Sequence, residues 1–167
     1  MGCLGVHFAL TAGEIAQLRS FVSDPERLEY LQGYIEPAYF ERCPDMKAES
    51  DKSWDALHRG LADGKLSWDG GEYPLNHTVL GGELLYTGSD YIMSLKTPQM
   101  VRDIAEAVLG ITETDFQRRY LAIDRESYCH PLSEEDCRYT WDWFQGIRDL
   151  YRRAAEDGRF VLFTADQ

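Results

Sequence analysis

Three side chains capable of acid/base chemistry lie in one short segment, at Asp51, Asp55 and His58. If that segment is helical, their i, i+4 and i+7 spacing places them on one face. Two carboxylates beside an imidazole could orient a general base, or bind a metal ion through two oxygens and one nitrogen. His77 is the next histidine along the chain. A hydrolase-like or metal-dependent enzyme that uses these four residues is therefore one hypothesis.

A second interpretation of the same segment uses only local interactions. Asp51 would stabilise a helix N-terminus, and Asp55 would pair with a neighbouring base such as Arg59. His58 would pack, half buried, against Trp54. The segment contains no His-x-x-x-His pattern, which a helical zinc site would require. We favour this structural interpretation and expect neither a metal nor another cofactor.

The four cysteines, Cys3, Cys43, Cys129 and Cys137, contain no Cys-x-x-Cys pair. Without an export signal they are expected to be reduced thiols. Cys129 and His130 are adjacent, but neighbours in an extended segment point to opposite sides, which disfavours a thiolate pair. The sequence has no Gly-x-Ser-x-Gly elbow and no glycine-rich phosphate loop. Nucleophilic catalysis is therefore not indicated.

Aromatic side chains form a second group of candidates, for binding rather than catalysis. Tyr139, Trp141 and Trp143 follow one another on a predicted helix, and Trp54 lies on another. Such residues can line a ligand pocket, although more often they form a core. Trp141 and Trp143 are two positions apart and cannot share a helix face, so one of them should be partly exposed. We predict these four residues as the binding candidates.

The elements that must position these residues follow from apolar spacing and from helix-capping signals, among them the capping box Thr11-Ala12-Gly13-Glu14, Thr97 before Pro98, and Ser133. Alternating apolar residues predict a strand at each end of the chain, over 6–10 and 160–163, and 91–95 is typical of a buried strand. Residues 41–50 have no apolar period and predict a loop. Predicted helices cover about 12–22, 24–36, 50–64, 98–110, 113–120 and 134–157.

The order of these elements and the length of 167 residues predict one α+β domain that spans 1–167. We expect a small mixed or antiparallel sheet that includes both terminal strands, with about five helices packed on it. A regular strand-helix alternation is missing, so a doubly wound sheet is disfavoured.

Charge restricts the partners. The chain has 17 basic and 29 acidic residues, which gives a net charge of −12. This field repels phosphate backbones and anionic lipid surfaces, so nucleic acid and membrane partners are disfavoured, whereas a basic protein would be attracted. The start of the chain lacks a basic signal-peptide region, and no run of 18 apolar residues occurs. We expect a cytoplasmic protein.

Three sequence features resemble the YfbM-like family. They are the start Met1-Gly2-Cys3-Leu4-Gly5, the block Asp51-Lys52-Ser53-Trp54-Asp55-Ala56-Leu57-His58-Arg59-Gly60-Leu61, and the segment Val79-Leu80-Gly81-Gly82. The likeness continues through the predicted helix after Thr97 and the last helix and strand. The resemblance implies an α+β bacterial domain whose biochemical role has not been assigned, so it transfers no catalytic residues.

The sequence therefore leaves two functional hypotheses. The first is a non-enzymatic binding domain, of immunity or regulatory type, that presents acidic and aromatic surface to a basic protein; immunity proteins paired with secreted toxins are the fold-level analogy. The second is the Asp/His enzyme. The convergence or dispersal of Asp51, Asp55, His58 and His77 distinguishes them.

Overall fold

The computed structural model describes residues 3–167, so Met1 and Gly2 of the opening motif lie outside it. It contains five strands and six helical units. The strands are β1 Gly5–Leu10, β2 Lys47–Asp51, β3 Glu83–Leu84, β4 Tyr91–Lys96 and β5 Phe160–Asp166. The helices are α1 Ala12–Ser20, α2 Asp24–Tyr30, α3 Glu36–Glu41, α4 Trp54–Leu61, α5 Pro98–Leu109, α6 Glu113–Leu121 and α7 Glu134–Glu156. A π-helical segment, Leu31–Ile35, joins α2 and α3 into one unit.

The sheet is antiparallel throughout, in the order β2-β1-β5-β4-β3. The C-terminal strand β5 lies at its centre and pairs with the N-terminal strand β1, from Gly5 opposite Ala165 to Leu10 opposite Phe160. The predicted α+β class and the inclusion of both terminal strands are thus confirmed, and the six helical units agree with the six predicted helix ranges in number.

Helices cover both faces of the sheet, so the central strands are buried on both sides. One core lies between the sheet and α1 to α3, and the other between the sheet and α4 to α7. Alternation along β1 sends Phe8 to the first core and Ala9 to the second. His7 shares the second face, where its ring lies 4.8 Å from that of Phe163 on β5.

Helix starts follow the predicted capping residues. Thr11 Oγ1 accepts from the Glu14 amide at 3.3 Å, and the Glu14 carboxylate accepts from the Thr11 amide at 2.9 Å, which completes a capping box. Thr97 and Ser133 cap α5 and α7 through their hydroxyls. Within the described part of the chain, no helix combines the length and apolar composition needed to span a membrane.

The predicted loop over 41–50 is wrong in its second part, from Lys47 onward. Residues Lys47–Asp51 form β2, which pairs with β1 over Gly5–Phe8 and buries Ala48 and Ser50. The neighbouring helix accordingly begins at Trp54 rather than at Ser50. Because β2 takes its hydrogen bonds from a strand about 40 residues earlier, its own sequence carries little signal.

Candidate functional site

Asp51 lies at the end of β2, outside the helix that was expected to hold it. Its backbone has a φ of 47°, a left-handed conformation that aspartate tolerates better than most residues. Its carboxylate accepts a hydrogen bond from the Tyr139 hydroxyl of α7. Asp51 therefore connects the sheet edge to α7, and the helical face proposed for Asp51, Asp55 and His58 does not form.

Asp55 and Arg59 form an ion pair on α4, as the structural interpretation predicted. The Arg59 guanidinium also donates to the Ser127 hydroxyl at 2.8 Å and to the Ser127 carbonyl at 3.1 Å. The guanidinium carbon of Arg59, Cζ, lies 5.4 Å from the centre of the Tyr128 ring. Arg59 therefore connects α4 to the loop before α7, and the Asp55 carboxylate is occupied by its ion pair with Arg59.

His58 is buried and His77 is half-buried, and they have different hydrogen-bond partners. The His58 imidazole is fully buried and its Nε2 lies 2.8 Å from the Ser67 carbonyl; burial lowers its pKa to about 4. His77 Nδ1 lies 2.7 Å from the Asn76 side-chain oxygen, and burial and then the Lys96 charge lower its pKa.

Each of the four enzyme candidates therefore has its own partner. No hydrogen bond joins any two of Asp51, Asp55, His58 and His77, and residues 3–167 contain no group of three side chains arranged to hold a metal ion. Trp54, a binding candidate, is only 4% exposed and donates its indole N–H to the Cys3 carbonyl at 2.7 Å. It belongs to the core.

A polar cluster that the sequence did not predict lies inside the second core. Its members hold the segment 78–81, whose irregular backbone must find hydrogen bonds away from water. The Thr78 carbonyl accepts from His7 Nε2 at 2.9 Å and from the Tyr151 hydroxyl at 2.7 Å. Lys96 Nζ donates to the Val79 carbonyl.

Ser94 completes this arrangement. Its hydroxyl donates to the Leu80 carbonyl at 2.6 Å and lies 3.2 Å from the Gly81 carbonyl. It also accepts from Lys96 Nζ at 3.0 Å. Three of the four carbonyls of the segment, those of Thr78, Val79 and Leu80, thus receive side-chain donors, which explains why buried polar residues occur at His7, Ser94 and Lys96.

Burial shifts the titration of this cluster. It lowers the pKa of His7 to about 3, with a further contribution from the Lys96 charge, and keeps the pKa of Lys96 well below its ordinary value of 10.5. Both side chains are fully buried. Perturbed pKa values of this size can mark active sites, but here every described contact supports the fold.

The glycines of the Val79-Leu80-Gly81-Gly82 segment are required by this close packing. A Cβ at Gly81 would lie 2.6 Å from His77 Nδ1. Gly82 has a φ of 133°, and a Cβ there would collide with the Leu95 carbonyl. The segment is thus a structural motif.

The outer face of α7 carries the predicted aromatic residues. We define the α7 stripe as six residues that follow helical spacing and are exposed or half-buried: Glu135, Tyr139, Asp142, Trp143, Gly146 and Asp149. The Tyr139 and Trp143 rings meet edge to face at 6.3 Å. Burial, then the hydrogen bond to Asp51, raises the pKa of Tyr139 to about 12, so its hydroxyl remains a donor.

A shallow pocket of about 300 Å³ adjoins the start of the stripe. Asp136 forms one wall, and one of its oxygens accepts from the hydroxyls of Tyr120 and Tyr128, at 2.5 and 2.8 Å. The pocket is lined by His130, Pro131, Ser133, Glu135, Asp136 and Tyr139. Two carboxylates and no lysine or arginine line it, so it suits a cation.

Trp141 faces a different hollow. It lines the α6–α7 groove, which has a volume of about 460 Å³ and lies between the two helices for which it is named. Its ring packs against Phe116 and Phe144, with centroids 5.7 and 5.8 Å away. Trp141 and Trp143 therefore open onto separate surfaces, as their spacing predicted, and both are half-buried.

The chain folds as an α+β domain with an antiparallel five-stranded sheet between two helical layers. His7 and His58 are buried in its core, and an acidic, aromatic face of α7 lies outside. The chain belongs to the family described as a domain of unknown function, DUF1877, whose sequence model matches residues 1–164. This confirms the predicted resemblance.

The solved structure of YfbM, a protein of unknown function from Escherichia coli, is similar to this chain. The TM-score is 0.63 with 21% sequence identity, over 97% of this chain and 99% of that chain. At this identity the likeness shows a shared fold. No protein with a curated description matches the chain significantly.

Proposed function

We propose that this chain is a non-enzymatic protein-binding domain and that a basic protein docks on the α7 stripe. The observation that carries the proposal is Gly146. It lies in the middle of a 23-residue helix, where glycine costs about 1 kcal/mol relative to alanine. Apart from its own helix, a Cβ there would meet no heavy atom within 4 Å.

Nothing inside the described chain therefore requires a glycine at 146. A partner that packs closely against the helix backbone would require one, because a side chain would hold it away. The residues around Gly146 supply the other features of an interface: the aromatic pair Tyr139–Trp143 and open, charged positions at Asp142 and Asp149.

The charge of the surface selects the partner. The stripe has three carboxylates, at Glu135, Asp142 and Asp149, and none of its six positions is basic. In a chain of net charge −12, such a face attracts a basic partner and accelerates its association at low salt.

The pocket at the start of the stripe fits one cationic side chain. A lysine or arginine there would meet the Glu135 and Asp136 carboxylates beside the Tyr139 ring. The specific form of the proposal is an immunity-type or regulatory protein of the cytoplasm that neutralises or controls a basic protein. The Asp/His enzyme hypothesis gains no support, because its four side chains have separate partners.

Affinity capture with matched charge variants tests the proposal. Glu135→Gln/Asp142→Asn removes two charges from the stripe, and Glu29→Gln/Glu106→Gln removes two exposed charges from α2 and α5. Each variant loses two negative charges, so the two variants have equal net charge and differ only in where the charges were removed. Basic proteins retained by the wild type would be identified, purified and titrated by calorimetry in 50 and 300 mM salt.

We expect the stripe variant to bind the partner at least about tenfold more weakly and with less salt dependence, while the control binds like the wild type. Equal losses in both variants would show that only net charge matters, and unaffected binding in both would place the interface elsewhere. Either result would overturn the proposal.

A further inference from the structure

We propose that the α6–α7 groove binds a small monoanionic carboxylate with an aromatic or branched apolar body. The site lies on the other side of the α7 N-terminus from the stripe, and the inference does not depend on the protein partner. Its volume of about 460 Å³ falls in the range of small-molecule sites.

One part of the groove is suited to an apolar body. Trp141, Tyr120 and Leu132 contribute to its lining, as does the buried Cys137. Burial, followed by the Asp136 charge, raises the pKa of this thiol, so it adds no anion to the wall. A flat or branched hydrocarbon group can therefore exchange water for apolar contacts here.

The mouth of the groove holds two arginines without a partner. Arg125 and Arg138 are exposed and, within residues 3–167, form no hydrogen bond or ion pair. Arg138 is four residues after Glu134, a spacing that favours an ion pair, yet none forms. Arg138 therefore has no ion-pair partner within the described part of the chain.

The helix dipole, by contrast, explains the acidic residues of the groove. Glu113 and Glu134 are the first residues of α6 and α7, where carboxylates stabilise the helix dipole. The charges left for a ligand are thus the two guanidinium groups, and their planar donor pairs match a carboxylate. Two glutamates nearby would repel a dianion more than a monoanion, so a carboxylate is favoured over a phosphate.

The experiment is a ¹H–¹⁵N NMR titration of the full chain with 3-phenylpropionate, and with the neutral 3-phenylpropionamide as the matched probe. The variants are Arg125→Gln and Arg138→Gln, whose side chains are exposed and can be replaced without loss of the fold. Arg152→Gln, which removes an exposed arginine paired with Glu156 at the far end of α7, is the control.

We expect 3-phenylpropionate to shift the amides of α6, the α6–α7 loop and the first half of α7 at saturable concentrations. The amide probe should bind at least about tenfold more weakly, and each groove variant should lose a similar factor, because a charge-assisted hydrogen bond is removed. Arg152→Gln should bind like the wild type, and Glu134→Gln should bind more tightly.

Three results would overturn the inference: equal binding of the acid and the amide, unchanged binding in both groove variants, or non-saturable shifts seen only at high probe concentration. None of these results depends on the stripe, so the binding of a protein partner remains a separate question.

Discussion

Burial of His7 and His58 should make the free energy of unfolding rise with pH between about 5 and 7. The ordinary histidine pKa of 6.5 falls in the folded chain to about 3 for His7 and about 4 for His58. Between these values the unfolded chain binds more protons than the folded one, so stability increases with pH. The contribution is fully present above pH 6.5 and is lost as the pH falls.

The magnitude follows from the same shifts. At pH 5 each histidine lies about 1.5 units below its unfolded pKa, and at 1.36 kcal/mol per unit this costs about 2 kcal/mol for each. The two together should lower the free energy of unfolding by about 4 kcal/mol between pH 7.5 and pH 5. Depressed carboxyl groups such as Asp24 lose their contribution at lower pH, below their ordinary value of 3.8.

Urea unfolding followed by circular dichroism, at half-unit steps from pH 5 to 7.5, measures this slope. His7→Gln and His58→Gln should each remove about half of it, although each variant is less stable overall. His130→Gln replaces an exposed imidazole and is the matched surface control. Lys96, whose pKa is also lowered, remains in every variant, so the difference in slope between the wild type and a variant reports the replaced histidine together with its coupling to Lys96.

The reasoning is refuted if the wild-type slope corresponds to less than one proton across this range, or if neither core variant reduces it. Either outcome would mean that the buried imidazoles do not change their protonation when the chain unfolds.

Three further predictions concern single side chains. Gly146→Ala should raise the free energy of unfolding by about 0.5–1 kcal/mol in urea titrations and should weaken partner binding, because it adds a methyl group to the proposed contact. Gly82→Ala should destabilise the fold by about 2 kcal/mol or more, since its left-handed backbone and the Leu95 carbonyl exclude a Cβ; a thermal melt would show this. Tyr139→Phe should cost about 1 kcal/mol through loss of the hydrogen bond to Asp51, and an unchanged urea midpoint would contradict that contact.

Local signals in the sequence predicted most of the fold. The capping box at Thr11 and Glu14, the Thr97 and Ser133 caps and the apolar terminal strands all depend on residues a few positions apart, and all were confirmed. The strand β2 was missed because its partner β1 lies about 40 residues away, and a short half-polar segment shows no strand period of its own.

The candidate site was predictable only in part. The spacing of Trp141 and Trp143 correctly indicated two different surfaces, because helix periodicity alone determines it. The block around Asp51 was misread as one helical face, since nothing in its composition shows that β2 ends at that aspartate. Gly146 could have been noticed as a glycine inside a helical pattern, but only the structure shows that no packing contact requires it.

By itself the sequence determined the acidic charge, the helix starts and the terminal strands, because composition and short-range hydrogen bonding act independently of the final packing. The tertiary structure alone decided which polar groups are buried together. His7 and Tyr151 meet at the Thr78 carbonyl across 71 and 73 residues, and Tyr139 reaches Asp51 across 88. Such pairings form only when the sheet and α7 pack together, so no local pattern can encode them.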